Sequence, residues 1–260
     1  MLVFDGDEIS IAIDLDQGAR LASLQWRDME FVVPFRGQEL SWGWFAMAPY
    51  AGRIKNGILR DSKGKKHQLP NSIDPMGTQH ALIGFGVTSS WEDLGGGKQI
   101  LDLPNPFQGA SVTQQFEILG NSLRWSLDFQ ANGCDLPVTL GFHPWFARNI
   151  GKGGSAEILL SAKKMFQRGE DYLPTGRLVD PIPPPWDDTF TELSSTPKII
   201  WPGAATVSID SNCPYLMVYS YDESGLCVEP VSAPPDAQNL GIKGETYIEC
   251  LITFDEHFVN

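Results

Sequence analysis

The sequence predicts an all-β protein, a large antiparallel β-sandwich, and two observations favour that fold. Short segments of alternating apolar and polar residues recur along the 260-residue chain, which is the pattern of half-buried strands. Glycine (26 residues) and proline (19 residues) interrupt these segments so often that long helices are hard to place. Because helical segments do not separate the strand-like ones, a βαβ arrangement is disfavoured. We expect residues 1–260 to form a single domain.

The predicted strands follow one another through most of the chain. In order, they lie at residues 8–14, 111–118, 122–129, 156–160, 206–210, 215–220 and 245–254. Gly120 and Asn121 join the second to the third, and this pair of turn-forming residues is a hairpin signal. The proline-rich segment 181–185 predicts a rigid surface connection rather than a domain boundary.

Composition excludes several classes of partner. The chain has 19 basic and 32 acidic residues, a formal charge of −13, which disfavours binding to nucleic acid or anionic membranes. It shows neither an apolar run of about 18 residues nor a signal-peptide pattern, so we expect a cytoplasmic protein. The four cysteines show no CxxC and no metal-ligand spacing, so we expect reduced thiols in strands and no metal site.

His143 is the first candidate catalytic residue. It follows an apolar, strand-like run within residues 138–146, and Pro144, Trp145 and Phe146 come directly after it. Aromatic faces pack well against the C–H surfaces of a sugar ring, and histidine exchanges protons near neutral pH. The alternative at this point is a histidine held inside the sandwich core.

Four other polar residues lie in segments rich in turn-forming residues. Arg53 lies between two glycines at residues 47–57 and could bind an oxygen-rich ligand, or hold a loop through backbone carbonyls. His80 could line a pocket or lie exposed in a turn. Asp187 and Asp188 could bind sugar hydroxyls or be solvated surface acids. Glu229, just before a proline, is a candidate general base or a surface acid at a strand end.

Six segments, taken together and in order, resemble the aldose 1-epimerase (galactose mutarotase) family, especially its shorter bacterial branch. The segments are 48–54 (Ala-Pro-Tyr-Ala-Gly-Arg-Ile), 80–85 (His-Ala-Leu-Ile-Gly-Phe), 141–146 (Gly-Phe-His-Pro-Trp-Phe), 173–176 (Leu-Pro-Thr-Gly), 187–190 (Asp-Asp-Thr-Phe), and 229–230 with 235–237 (Glu-Pro, Pro-Asp-Ala). The resemblance implies the family's fold, the galactose mutarotase-like supersandwich, with a sugar cleft on one concave face.

The resemblance also implies roles for individual residues. Glu229 matches the general base that takes the proton of the anomeric hydroxyl, and His143 matches the general acid that protonates the ring oxygen. Arg53 and Asp187 match substrate-binding residues, and Asp188 is the match if the loop is shifted by one residue. This chemistry needs no metal or organic cofactor, and its partner is a small-molecule sugar. Trp145 is a further candidate for substrate binding. We expect a monomer or homodimer.

One position departs from the family pattern. Ile83 lies where the family usually carries a second active-site histidine, so one polar contact to the sugar is missing. His80, three residues earlier, is a candidate to contact the substrate instead. Three hypotheses follow: an aldose 1-epimerase acting on a free sugar, a hexose-6-phosphate epimerase using Lys55 and the lysines at 63, 65 and 66, or a carbohydrate-binding protein without catalysis.

Overall fold

The computed structural model describes residues 1–73 and 77–258, and it confirms the all-β prediction. Among the described residues, 51% lie in strands and 3% in helices. The strands pair in antiparallel fashion throughout both large sheets. Within the described residues, no helix has the length and apolar character needed to cross a membrane.

The strands are short and follow one another closely. The first twelve are β1 Leu2–Asp5, β2 Ile9–Asp14, β3 Arg20–Trp26, β4 Met29–Glu30, β5 Trp44–Met47, β6 Arg53–Lys55, β7 Ile58–Arg60, β8 Lys66–Gln68, β9 Ser72–Ile73, β10 Gln79–Leu82, β11 Glu92–Gly95 and β12 Lys98–Asp102. The others are β13 Ser111–Leu119, β14 Ser122–Gln130, β15 Gly141–Ala147, β16 Glu157–Leu159, β17 Ala162–Arg168, β18 Pro174–Val179, β19 Asp187–Leu193, β20 Lys198–Trp201, β21 Ala205–Ser211, β22 Tyr215–Tyr219, β23 Gly225–Val231 and β24 Tyr247–Glu256. A 3-10 turn spans Leu15–Gln17, and one short helix, α1, spans Ala237–Leu240.

Two large sheets form the sandwich. Among the described residues, the first has eleven strands in the order β1-β2-β3-β5-β15-β23-β22-β19-β17-β18, with β4 paired to β3. The second has eight strands in the order β11-β12-β13-β14-β24-β21-β20-β16. Strands β15 and β23 lie at the middle of the first sheet, with neighbours on both sides, so their side chains are held on a rigid surface.

The core between the sheets fixes which way β15 presents its side chains. Phe142 of β15 packs on Trp125 of β14, with 4.7 Å between ring centroids, and Phe146 packs towards Trp201 of β20. All four rings are fully buried. Because successive strand residues point to opposite faces, His143 and Trp145 project from the other face of the first sheet.

The pairing of β15 with β23 sets the register of the site. Gly141 lies opposite Val231, and Trp145 lies opposite Cys227. The same register brings His143 and Glu229 opposite each other on adjacent strands. The sequence interpretation that Glu229 ends its strand is wrong, because β23 continues through Pro230, which pairs with Leu216.

Several local predictions are confirmed and others need correction. Strands β13 and β14 form the predicted hairpin around Gly120 and Asn121, and residues 181–185 form an exposed connection between β18 and β19. All four cysteines are free thiols. Only Cys227 and Cys250 lie in strands, whereas Cys134 and Cys213 lie in connections.

Candidate active site

The structure brings His143 and Glu229 into direct contact. The Nε2 atom of His143 lies 3.5 Å from the Oε1 atom of Glu229. Their side chains are 13% and 3% exposed, respectively. The two residues therefore form a largely dry acid–base pair at the middle of the first sheet.

Aromatic rings hold the imidazole on both sides. Phe45 of β5 stacks on His143 with 4.5 Å between ring centroids, and Trp145 stacks on it at 5.7 Å. Beyond Phe45, the guanidinium of the buried Arg20 lies 4.9 Å from the Phe45 ring centroid. The Nδ1 atom of His143 is buried without a hydrogen-bond partner among the described residues. Proton exchange by this ring is therefore directed through Nε2.

Burial shifts the pKa values of the two groups in opposite directions. Desolvation, with a smaller contribution from the negative charge of Asp187, raises the pKa of Glu229 to about 8. Desolvation, aided by the positive charge of Arg20, lowers the pKa of His143 to about 3. Each shift favours the neutral form of its group. Between about pH 3 and pH 8 the two side chains therefore share one titratable proton, and in the favoured neutral state that proton is on the carboxyl group of Glu229.

A cavity of about 220 Å³ opens over this pair. His143, Glu229, Trp145, Arg53 and Asp187 are among its lining residues. It is smaller than the roughly 300–1,000 Å³ of sites for drug-sized ligands, so a monosaccharide is a ligand of suitable size. Five of the six site residues predicted from the sequence therefore share one cavity.

Arg53 and Asp187 form the second polar pair of this cavity. The Nη2 atom of Arg53 lies 3.5 Å from the Oδ2 atom of Asp187. Arg168 approaches the same oxygen at 3.8 Å and donates a hydrogen bond to the backbone carbonyl of Asp187. Because the side chains of Arg53 and Asp187 are both partly buried, they present hydrogen-bond donors and acceptors at fixed positions. Binding of the ring hydroxyls of a sugar requires such groups.

Asp236 fixes the strand that carries Arg53. Its buried carboxylate accepts a hydrogen bond from the backbone N–H of Lys55 at 3.0 Å, and its own N–H donates to the carbonyl of Arg53. Gly52 has a φ of +63°, and a Cβ atom there would lie 2.8 Å from Pro235. The glycine therefore allows the chain to turn closely against residues 235–236. This contact gives a physical reason why Gly52, in segment 48–54, and segment 235–237 occur in the same sequence.

The structure distinguishes the two adjacent aspartates. Asp187 lines the cavity with the acid–base pair, whereas Asp188 does not. Asp188 is buried, and its Oδ1 atom lies 3.7 Å from Nε of Arg168. Both begin strand β19 rather than lying in a loop. Asp187 is thus the cavity-facing residue of the two, and Asp188 contacts Arg168.

His80 is placed away from the cavity. It lies in strand β10, is 4% exposed, and is not among the residues that line the cavity. Its Nδ1 accepts a hydrogen bond from the N–H of Asn56 at 3.2 Å, and its Nε2 contacts the carbonyl oxygen of Asp171 at 3.1 Å. Both ring nitrogens are occupied by backbone, which favours a structural role for His80, and its contact with substrate stays a prediction.

Phe146 also takes a different position from the one suggested by the sequence. It faces the core, 4.5 Å from Trp44 between ring centroids, while Trp145 lines the cavity. The indole N–H of Trp145 donates to the carbonyl of Leu40 at 2.8 Å, which fixes the ring in place. Trp145 alone of these two aromatic rings is available as a platform for a sugar.

Sequence reasoning missed several residues of this site. Arg20, fully buried in β3, donates hydrogen bonds to four backbone carbonyls and supports Phe45. Tyr219 and Asp222 line the cavity. The sequence signal that could have identified Arg20 is that this arginine occupies an apolar position in the alternating pattern of the strand at residues 20–26. Tyr219 pairs with Asp187 across β22 and β19, a neighbour relation that no local motif contains.

Cys227 lies close to the catalytic candidates. Its sulfur and ligand atoms of His143 and Glu229 lie within 4.8 Å of one another. Full burial raises the pKa of the Cys227 thiol well above its ordinary value. Because metals bind the thiolate form, this environment opposes metal binding, and we identify none of the three residues as a metal ligand. The expectation that no metal or cofactor is needed stays a prediction.

The fold and the site agree with the class of protein expected above, a carbohydrate epimerase. The family model for aldose 1-epimerase matches residues 5–246, and the chain belongs to that family. It is 27% identical over 258 residues to the uncharacterized protein YihR of Escherichia coli (strain K12). This match covers 86% of this chain and 82% of YihR.

Two solved structures show the same fold at low sequence identity. A galactose mutarotase-like protein from Clostridium acetobutylicum has a TM-score of 0.79 at 13% identity, over 98% of this chain and 94% of that one. A GalM/aldose epimerase homologue from C. elegans has a TM-score of 0.78 at 16% identity, over 98% of both chains.

Proposed function

We propose that this protein is an aldose 1-epimerase that interconverts the α and β anomers of a free aldose. The observation that carries the proposal is the contact between His143 and Glu229 in a sugar-sized cavity. Anomer exchange needs one group that removes a proton and one that supplies a proton, and this pair offers both. Membership of the aldose 1-epimerase family supports the same reaction.

Ring opening transfers one proton in each direction. The carboxylate of Glu229 removes the proton of the hydroxyl on C1, and the C1–ring oxygen bond breaks. Its electron pair goes to the ring oxygen, which takes a proton from Nε2 of His143, and C1 becomes an aldehyde. Rotation about C1–C2 exposes the other face of the carbonyl. The hydroxyl on C5 then attacks that face, His143 recovers its proton, and Glu229 returns its proton to the oxygen on C1.

The opposed pKa shifts suit this reversal of roles. After ring opening, Glu229 is protonated and His143 is neutral, which is the state that burial favours in both residues. The open-chain stage therefore requires no buried charge. Opening of a bound pyranose therefore begins after the shared proton has moved from Glu229 to Nε2 of His143, 3.5 Å away, which leaves Glu229 as the carboxylate base and His143 as the acid.

The charges around the cavity favour an uncharged sugar over a sugar phosphate. Among the described residues, three acidic residues and one arginine, Arg53, line it. Burial keeps Glu229 neutral, which leaves the carboxylates of Asp187 and Asp222. Lys55, a candidate phosphate ligand, instead lies 2.9 Å from Asp171. A dianionic phosphate would meet repulsion from the carboxylates, so the proposal keeps a free aldose as substrate.

The test is anomer exchange by saturation-transfer NMR on a panel of free aldoses. We expect acceleration by the wild-type protein and a loss of about 10²–10⁴-fold in Glu229→Gln and in His143→Asn. Glu245→Gln, at an exposed position, is the matched control and should retain full activity. Binding of an aldose without acceleration would instead support a carbohydrate-binding protein.

A further inference from the structure

Four apolar aliphatic side chains contribute to the lining of the cavity. They belong to Leu40, Leu82, Ile83 and Met217, which we call the apolar wall, and the polar Gln38 and Ser41 line the cavity near Leu40 in the chain. The N–H of Ile83 donates to the carbonyl of Gly52 at 2.7 Å. A Cβ atom added to Gly52 would lie 3.4 Å from the terminal methyl of Met217. Ile83 and Met217 thus flank the same backbone segment.

Ile83 occupies a backbone conformation that disfavours it. Its φ is +46°, in the left-handed region where a β-branched side chain is an outlier and asparagine or glycine is tolerated. It is only partly buried, so packing in the core does not by itself require an isoleucine here. Strain of this kind is typical of residues whose side chains serve a site, and here that side chain lines the cavity.

Leu40 of the apolar wall contacts the indole ring that stacks on His143. His143 stacks on Trp145, and the indole N–H of Trp145 donates to the carbonyl of Leu40, which belongs to the wall. In a pyranose, the exocyclic carbon C6 is attached to C5, next to the ring oxygen that His143 protonates. A substrate held by His143 and Glu229 would therefore direct C6 towards Trp145 and Leu40.

We propose that the protein is selective for 6-deoxyaldohexoses, whose C6 methyl group packs against the apolar wall at Ile83. This inference rests on the proposed function. Glu229 and His143 engage the anomeric and ring oxygens, and Arg53 with Asp187 engages ring hydroxyls, so the C6 substituent is the group left to face the wall. A hydroxymethyl group would bury a hydroxyl that the wall cannot pair, whereas a methyl group buries none.

The test compares matched pairs of sugars. We expect kcat/KM for anomer exchange to be about ten- to a hundredfold higher for 6-deoxy-D-glucose than for D-glucose, and for D-fucose than for D-galactose. Ile83→Asn should remove this preference, because it places a hydrogen-bonding side chain in the wall. Ile83→Leu, the apolar control, should keep the preference. Thermal melting should show that both variants are folded.

Saturation-transfer difference NMR supplies a readout that does not need turnover. Irradiation of the protein methyl groups should saturate the C6 methyl protons of 6-deoxy-D-glucose more strongly than its ring protons. Equal kcat/KM within each sugar pair would overturn the selectivity and leave the proposed function standing. Absence of anomer exchange on every sugar would overturn the proposed function, and weak saturation of the C6 methyl would then overturn the selectivity as well.

Discussion

Glu229→Gln should stabilise the protein at alkaline pH while strongly lowering its activity. The side chain of Glu229 is 3% exposed, and burial raises its pKa from 4.5 to about 8. A group whose pKa is higher in the folded state stabilises that state at low pH. This contribution is lost as pH rises from the unfolded pKa to the folded one. Glutamine does not titrate, so the variant should not lose stability in this way.

The size of the effect can be isolated in one pH window. Burial lowers the pKa of His143 from 6.5 to about 3, so above pH 6.5 this residue is neutral in both folded and unfolded chains. Between pH 6.5 and the Glu229 pKa of about 8, only the Glu229 shift differs between the two proteins. Over these 1.5 pH units, at about 1.4 kcal/mol per unit, the variant should gain about 2 kcal/mol on the wild type.

Urea denaturation of both proteins at several pH values from 6.5 to 9 measures this difference. The gap in the free energy of unfolding should widen up to about pH 8 and stay constant above it. Glu245→Gln, which removes an exposed carboxylate, controls for the change in net charge. If the free energies of unfolding of the wild type and Glu229→Gln changed in parallel between pH 6.5 and 8, the raised pKa of Glu229 would be refuted. The neutral form of the Glu229–His143 pair would then be refuted as well.

Four further outcomes are expected. The pH profile of kcat/KM, measured from NMR exchange rates, should be flat between about pH 4 and 7. It should fall above about pH 8, where the pair of Glu229 and His143 has lost its one proton and lacks an acid, and towards pH 3, where the pair lacks a base. A profile that only rises or only falls with pH would contradict this. Asp187→Asn should lower kcat/KM about ten- to a hundredfold through KM, measured by the same assay, and unchanged KM would argue against contact with substrate. His80→Gln should lower the free energy of unfolding by about 1–3 kcal/mol in urea with kcat unchanged, and a loss of kcat would restore it to the site. Arg20→Lys should cost roughly 2–3 kcal/mol of stability in urea, because lysine cannot replace four guanidinium contacts; an unchanged midpoint would count against this.

The strands that the sequence predicted best are those with one face in the core. In β14, Leu123, Trp125, Leu127 and Phe129 are buried and alternate with more exposed residues, so local periodicity is enough to identify the strand. Strand β23 is different, because all seven of its residues are buried. With both faces covered, the alternation of apolar and polar residues disappears. Pro230 then suggested that the strand ends there, whereas β23 continues to Val231.

The site was predicted in its residues more than in its geometry. The ordered segments indicated His143, Glu229, Arg53 and Asp187, and the cavity contains all four. Which of two neighbouring aspartates faces the cavity depends on the register of β19 against β22, a long-range property. The backbone contacts of His80 could not be predicted for a similar reason, since its partners at Asn56 and Asp171 lie far from it in sequence.

The position of the pair within the sheet explains how the site keeps its unusual pKa values. Glu229 and His143 lie on central strands that are paired on both sides, so neither side chain can reach water by a small movement of an edge strand. Phe45 and Trp145 stack on the imidazole, which lowers its solvation further. Both neutral forms are therefore favoured together. The neutral pair differs from the charged pair only by transfer of one proton, so the burial that costs stability at alkaline pH also determines that this proton rests on Glu229 rather than on His143.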